Sequence, residues 1–222
     1  MTGITGILLA GGQSRRMGTA KAFIQWRGRS LFEHPLSALQ EVCAEVLIVT
    51  KTPELYENCS ARVCRDDFPD AGPLGGIYTG LRTSQNSRVI VLACDMPYVR
   101  RNILDALADA SGWNPMLDAI VPLAPNTNSG NEIQPQPLCA LYSRKCMTEF
   151  RAQILQGSFS LKQSLTRLKV KFSDWRELDP SDTAGISFTN VNSPEDVKKA
   201  IAFSSLSSSL PPFSKAQSLQ TA

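Results

Sequence analysis

The sequence predicts an α/β protein, a single domain on a doubly wound, mostly parallel sheet. Three observations carry that expectation. The apolar runs ITGILLA (4–10), VLIVT (46–50) and VIVLACD (89–95) are unbroken rather than alternating, as in strands covered on both faces. Helical patterns fall between them, so strands and helices alternate along the chain. At 222 residues the chain is long enough for one domain with a large core and short for two.

Each element has its own signal. After ITGILLA, SLFEHPLSALQEV reads as a helix, with Ser30 as N-cap and Glu33 at the capping-box position. VLIVT is a second buried strand. Thr52 and Pro53 then open a short helix, and RVC (62–64) is a short third strand. A loop rich in Gly, Pro and Asp leads to IYTGLRTS as helix. VIVLACD carries the strongest strand signal, and RNILDALADA follows as helix. DAIVPL (118–123) is a strand, residues 125–137 are a polar, proline-rich loop, and LCALYS (138–143) is a strand again. RKCMTEFRAQILQ and SLKQSLTRL read as helices, VKFSDW as a strand. SPEDVKKAIAFS reads as a last helix, capped by Ser193. The domain is expected over 1–203. From Ser204 onward the composition shifts to seven serines and two prolines, which predicts a disordered tail over 204–222.

Composition narrows the function. Apolar residues make up 42% and charged residues 19%, as in ordinary soluble proteins. A formal charge of +3 is too small to make nucleic acid the main partner, but clustered cations would suit a small anionic ligand. No apolar run approaches the ~20 residues of a membrane helix. No secretion signal is recognisable at the N-terminus, so a cytoplasmic protein without a membrane partner is expected. The cysteines (Cys43, Cys59, Cys64, Cys94, Cys139 and Cys146) form no C-x-x-C pair and are expected to be reduced, mostly buried thiols. His34, the single histidine, gives neither a zinc site nor a Ser–His or Cys–His pair.

Ligands of open α/β sheets bind beyond the carboxyl ends of the strands. ITGILLA empties there into Gly11 and Gly12, with Arg15, Arg16 and Lys21 close behind. Glycines let backbone N–H groups approach phosphate oxygens, and the cations add charge for the same oxygens. The stretch is not a P-loop, because Gly12 is followed five residues later by Met17. Nor is it G-x-G-x-x-G, because Gly11 and Gly12 are adjacent. Asp95 ends the strongest strand at the same edge of the sheet, where a carboxylate can hold Mg²⁺. RDDFPDAGPLGGI (65–77) supplies Asp66, Asp67 and Asp70. It reads as a rigid loop whose small residues could lie against a base while a carboxylate accepts from guanine N–H groups.

In combination, LLAGGQSRRMG with Lys21, RDDFPDAGPLGGI, VLACDMPYV, QPLCALYSR and FTNVNSPEDV resemble the molybdenum cofactor guanylyltransferases over nearly the whole chain short of the tail. The resemblance implies a Rossmann-like nucleotidyltransferase fold. It implies transfer of GMP from GTP to molybdopterin, with or without molybdenum, and release of pyrophosphate. Leu9, Ala10, Gly11, Gly12, Lys21, Asp66, Pro73, Leu74 and Asp95 would line the nucleotide site. Arg16 and Lys21 would hold the triphosphate, and Asp95 would hold Mg²⁺ as the cofactor and join Arg16 and Lys21 as the catalytic set. Asn190 and Asn192 match asparagines near the second substrate or the metal. Proteins of the molybdenum cofactor pathway or molybdoenzymes are implied as further partners of a monomer. Arg144, Lys145 and the 125–137 loop are candidates for the pterin side. Two departures stand out: many relatives carry Asp where this chain has Ala20, and Asn where it has Val49 and Thr50. Other readings remain: a cytidylyl- or sugar-1-phosphate nucleotidyltransferase of the same superfamily, or a non-catalytic nucleotide-binding adaptor of the cofactor pathway.

Overall fold

The computed structural model of the chain describes residues 2–11, 21–109, 114–125 and 132–191. Among these residues ten strands form: β1 (Thr2–Leu9), β2 (Gln25–Trp26), β3 (Arg29–Ser30), β4 (Cys43–Thr50), β5 (Arg62–Arg65), β6 (Arg88–Ala93), β7 (Ala119–Pro125), β8 (Ile133–Pro135), β9 (Cys139–Ser143) and β10 (Val170–Asp174). The helices are α1 (Glu33–Val42), α2 (Pro73–Thr83), α3 (Arg101–Ala108), α4 (Cys146–Leu155), α5 (Leu161–Arg167) and α6 (Trp175–Leu178).

The main sheet runs β10-β7-β9-β6-β1-β4-β5, with β8 paired to β7. Strands β5, β4, β1 and β6 are mutually parallel. β9 runs antiparallel to both of its neighbours, and β10 is parallel to β7. The sheet is therefore mixed, with a parallel half that carries the glycine loop. Alternate residues of the central strands face opposite sides, as the pleat requires. Ile4, Leu8, Ile90 and Leu92 pack with α1, α3 and α6, while Ile7, Val89 and Val91 pack with α2, α4 and α5. Both faces are covered, which is why the runs are apolar without alternation.

Several local expectations change. The capping box is half made: Glu33 accepts the Ser30 N–H at 2.7 Å, but Ser30 belongs to β3 and Phe32 stands at the N-cap. β2 and β3 form a hairpin closed by Arg27 (φ 48°) and Gly28 (φ 80°). Both central residues are left-handed, as a type I′ turn demands. The 125–137 stretch is not wholly loop, because β7 reaches Pro125 and β8 pairs back onto it. The largest change is at GPLGG, which is helix rather than loop: α2 begins at Pro73, with Gly72 (φ 60°) at its N-cap. A Cβ on Gly75 would lie 2.3 Å from the Phe68 carbonyl oxygen, and one on Gly80 would lie 2.4 Å from Ile7 Cδ1. These glycines let α2 press directly onto β1 and the turn before it. The expected C-terminal helix and serine-rich tail lie outside the described residues.

Candidate active site

Leaving β1, the chain turns to β4 and β5 on one side, and β6 lies on the other. The reversal opens a crevice at the carboxyl ends of β1 and β6. Its floor is fixed by backbone bonds. Ala10 N–H donates to Val49 O at 2.9 Å, and Cys94 N–H donates to Leu9 O at 3.1 Å. Thr50 Oγ1 donates to Ala10 O at 3.0 Å. Val49 and Thr50 are both buried, and the Thr50 hydroxyl is spent on the floor. Gly11 is exposed, and a Cβ there would meet nothing within 4 Å. Among the described residues nothing crowds that point, which leaves room for a ligand.

Lys21 follows in a single 3₁₀ turn, Lys21–Phe23. The turn is anchored by buried Ala22 and by Phe23, whose ring packs 5.3 Å from Phe32 and 5.0 Å from Tyr56. From this base Lys21 Nζ reaches Asp95 Oδ2 at 2.5 Å. Asp95 lies two residues past the end of β6, in a turn. Its other oxygen, Oδ1, is buried without a hydrogen-bond partner among the described residues. Gly12, Arg16, Ala20 and Asn192 lie outside the described residues.

The C-terminal part of the domain returns to the main chain of the same residue. Val191 N–H donates to Asp95 O at 2.8 Å, which brings Asn190 to the site. Asn190 Oδ1 is likewise buried without a partner. Asp182 accepts the N–H groups of Ile186 and Ser187 at 2.9 and 3.0 Å, and Trp175 Nε1 donates to the Asp182 carbonyl at 2.8 Å. The segment carrying Asn190 is thus held at its root. Val191 also packs with Trp26, Leu31 and Tyr98, so the β2–β3 hairpin braces the site from outside.

Among the three acids of RDDFPD, the structure separates roles. Asp67 is clamped by Arg82 at 2.6 and 3.0 Å. The Asp70 carboxylate is fully exposed, 3.7 Å from Lys51. Asp66 is half-buried beyond β5, its N–H bonded to Thr50 O at 2.8 Å. Its Oδ1 accepts from Phe68 N at 2.9 Å and from Thr79 Oγ1 at 3.2 Å. Burial raises its pKa above the ordinary 3.8, and these hydrogen bonds oppose the rise. Pro73 opens α2 beside it, whereas the Leu74 side chain is wholly buried in the core and offers a ligand only its backbone.

Arg144 and Lys145 do not belong to the crevice. Arg144 NH2 donates to the carbonyls of Ser84 and Asn86, just before the start of β6, at the opposite edge of the sheet. Lys145 Nζ bonds Pro115 O at 2.8 Å. His34 is spent on the hairpin, with Nε2 2.9 Å from Trp26 O. All six cysteines are free thiols, and burial pushes Cys94, the neighbour of Asp95, up to about 12. Sequence reasoning missed Thr79 and Asp182; Asp182 alone left a trace, as a short acid ahead of a Gly-containing turn.

The donor set suits a hard divalent cation. Asp95 Oδ1 and Asn190 Oδ1 are buried oxygens without partners among the described residues, and oxygen is the donor that Mg²⁺ prefers. Among the described residues no group of three His, Cys, Asp or Glu is assembled for a metal. Mg²⁺ typically takes one or two protein ligands and completes its shell with phosphate and water. No helix among the described residues is long and apolar enough to cross a membrane.

Comparison with known proteins gives a consistent result. The chain is 32% identical over 203 residues to the molybdenum cofactor guanylyltransferase of Desulfosudis oleivorans, covering 91% of this chain and 96% of the relative. It is 32% identical over 206 residues to a probable molybdenum cofactor guanylyltransferase of Chloroflexus aggregans, covering 90% and 94%. The crystal structure of molybdopterin-guanine dinucleotide biosynthesis protein A from Archaeoglobus fulgidus superposes with a TM-score of 0.73 at 28% identity, over 90% of this chain and 98% of that one. A CTP complex of CMP:2-keto-3-deoxy-manno-octonic acid synthetase shares the fold, with a TM-score of 0.67 at 13% identity over 92% and 99% of the two chains. The family model for the MobA-like NTP transferase domain matches residues 6–170, from inside β1 to the start of β10. With the match running through every strand that shapes the crevice, the chain belongs to the MobA-like NTP transferases.

Proposed function

We propose that this chain transfers GMP from GTP to the terminal phosphate of molybdopterin, yielding the guanine dinucleotide form of the cofactor and pyrophosphate. The observation that carries the reading is the Lys21–Asp95 pair at the β1/β6 crevice, with the segment bearing Asn190 bonded to the main chain of Asp95. The two relatives named as guanylyltransferases supply the choice of substrates.

The reaction is a phosphoryl-type displacement. An oxygen of the acceptor phosphate attacks the α-phosphorus of GTP, the bond from that phosphorus to the β-phosphate oxygen breaks, and pyrophosphate leaves. A phosphate monoester is already anionic near neutral pH, so no side chain need remove a proton. What the site must supply is charge and alignment, because two polyanions meet and negative charge grows on the leaving group. Lys21, anchored on its 3₁₀ turn, would move from Asp95 toward the phosphates and hold them in line. Gly11 lets the backbone lie close to the triphosphate. Asp95 and Asn190 would hold Mg²⁺, which when bound supplies neutralisation of the phosphate oxygens. Asp66, ionised, would accept the N–H groups of guanine.

The test is direct. Purified protein is incubated with GTP, molybdopterin and MgCl₂, and pyrophosphate and the dinucleotide are quantified, with CTP and ATP as competitors. Product from GTP, little affected by CTP or ATP and abolished by EDTA, is the expected result. Product from CTP in preference to GTP would overturn the choice of base. Absence of pyrophosphate from any nucleotide in the folded protein would overturn the transferase reading.

A further inference from the structure

Thr79 lies on the face of α2 that meets β5, with no exposed surface. Its hydroxyl works in both directions. It donates to Asp66 Oδ1 at 3.2 Å and accepts the Asp67 N–H at 3.0 Å. Phe68 N–H gives Oδ1 a second fixed donor at 2.9 Å. Oδ2 takes no hydrogen bond among the described residues. A Cβ on Gly76 would stand 3.8 Å from Oδ2, 2.9 Å from Leu9 Cδ2 and 3.9 Å from Val49 Cγ1. Oδ2 is therefore presented beside the carboxyl ends of β1 and β4, over the glycine face of α2.

We infer that Thr79 is a positioning residue for base selection: by occupying Oδ1 it fixes the Asp66 carboxylate so that Oδ2 alone faces the base. The inference rests on Asp66 as the guanine reader. A fixed acceptor suits guanine, whose N1–H and N2–H₂ are donors. It repels adenine and cytosine, which present ring-nitrogen acceptors at the corresponding edge. A carboxylate free to rotate could turn away from those acceptors, so discrimination depends on what holds it as much as on its charge. α2 can bring Thr79 this close because Gly75, Gly76 and Gly80 remove side chains from the same face.

The experiment compares full-length wild type with Thr79→Val, Thr79→Ser and Asp66→Asn. KM and kcat are measured for GTP, CTP and ATP with molybdopterin as acceptor. Thr79→Val keeps the side-chain shape and removes the hydroxyl. It should raise the KM for GTP about tenfold, the worth of one well-placed hydrogen bond to a charged group. The kcat with GTP should stay within about twofold, by the same single-bond argument, while the KM values for CTP and ATP should stay level or fall as the released carboxylate turns away from their acceptors. Thr79→Ser keeps the hydroxyl and should restore the GTP preference. An unchanged GTP preference in Thr79→Val would overturn the inference. So would an equal loss with all three nucleotides, which a merely structural residue would give. If Thr79→Val does not fold, Thr79→Ala is read by the same criteria. Asp66→Asn separates the two layers. If it leaves the preference intact, the guanine reader lies elsewhere and the inference falls with it. If it abolishes the preference while Thr79→Val does not, only the role of Thr79 fails.

Discussion

Lys21 and Asp95 face each other at 2.5 Å although 74 positions separate them in sequence. Their side chains are only 15% and 18% exposed, so removing either partner leaves the other charge poorly compensated. Their value to catalysis is large, because a cation fixed where charge develops typically contributes ~10²–10³ in rate. Lys21→Ala and Asp95→Ala should each lower kcat at least about a hundredfold while the protein stays folded; steady-state kinetics with thermal melts checks both halves. Asp66 adds a pH signature. Burial lifts its pKa above 3.8, and the ionised form is the one that accepts from guanine. Affinity for GTP should therefore fall on acidification at a pH above that of an ordinary aspartate. The KM for GTP measured against pH in wild type should show this limb, and Asp66→Asn should lack it. Much of this was legible in the residues: Lys21 and Asp95 were expected at one edge of the sheet, and they meet there. The hydroxyl of Thr79 was not, because nothing in IYTGLRTS distinguishes a threonine facing Asp66 from one facing the core.

At the level of elements, GPLGG carries the clearest lesson. Three glycines and a proline have low helix propensity, so propensity alone reads a loop. Packing reverses this, since only a residue without Cβ lets α2 approach the Phe68 carbonyl and Leu9 so closely. Gly75→Ala should consequently destabilise the protein. Overpacking of this kind costs about 1–3 kcal/mol, and the obstacle is a backbone oxygen 2.3 Å away that cannot swing aside. The gain in helix propensity, ~1 kcal/mol, only partly offsets it. Denaturant unfolding measures the net effect, and raised stability would refute the packing account. LCALYS shows a different limit. Its run is apolar in either strand direction, so nothing local announces that β9 is antiparallel. Direction follows from the connections and from which neighbours remain unpaired. The β2–β3 hairpin escaped because two-residue strands are too short to show any period.

Across the whole molecule, the parallel half of the sheet and its mixed half serve different ends. β1, β4, β5 and β6 bring Leu9, Ala10, Asp66 and Asp95 to one edge. The β7–β9–β10 half supplies the platform from which residues 179–191 return. A ligand gripped by both halves should stabilise the fold as a unit. GTP with MgCl₂ at about 100 times its dissociation constant should add ~2.7 kcal/mol to unfolding. Thermal melts with GTP alone, MgCl₂ alone and both together check this, and a shift with GTP that is indifferent to the metal would count against a divalent ion at Asp95. The bond from Val191 N–H to Asp95 O also sets an order of assembly. A nascent chain that has emerged only as far as α5 already holds Lys21, Asp66 and Asp95, yet the Asp95 carbonyl still lacks the Val191 N–H and Asn190 is absent. Half-made copies on the ribosome would therefore own the charges without the chamber, and GTP would meet a finished workplace only after translation has passed Val191.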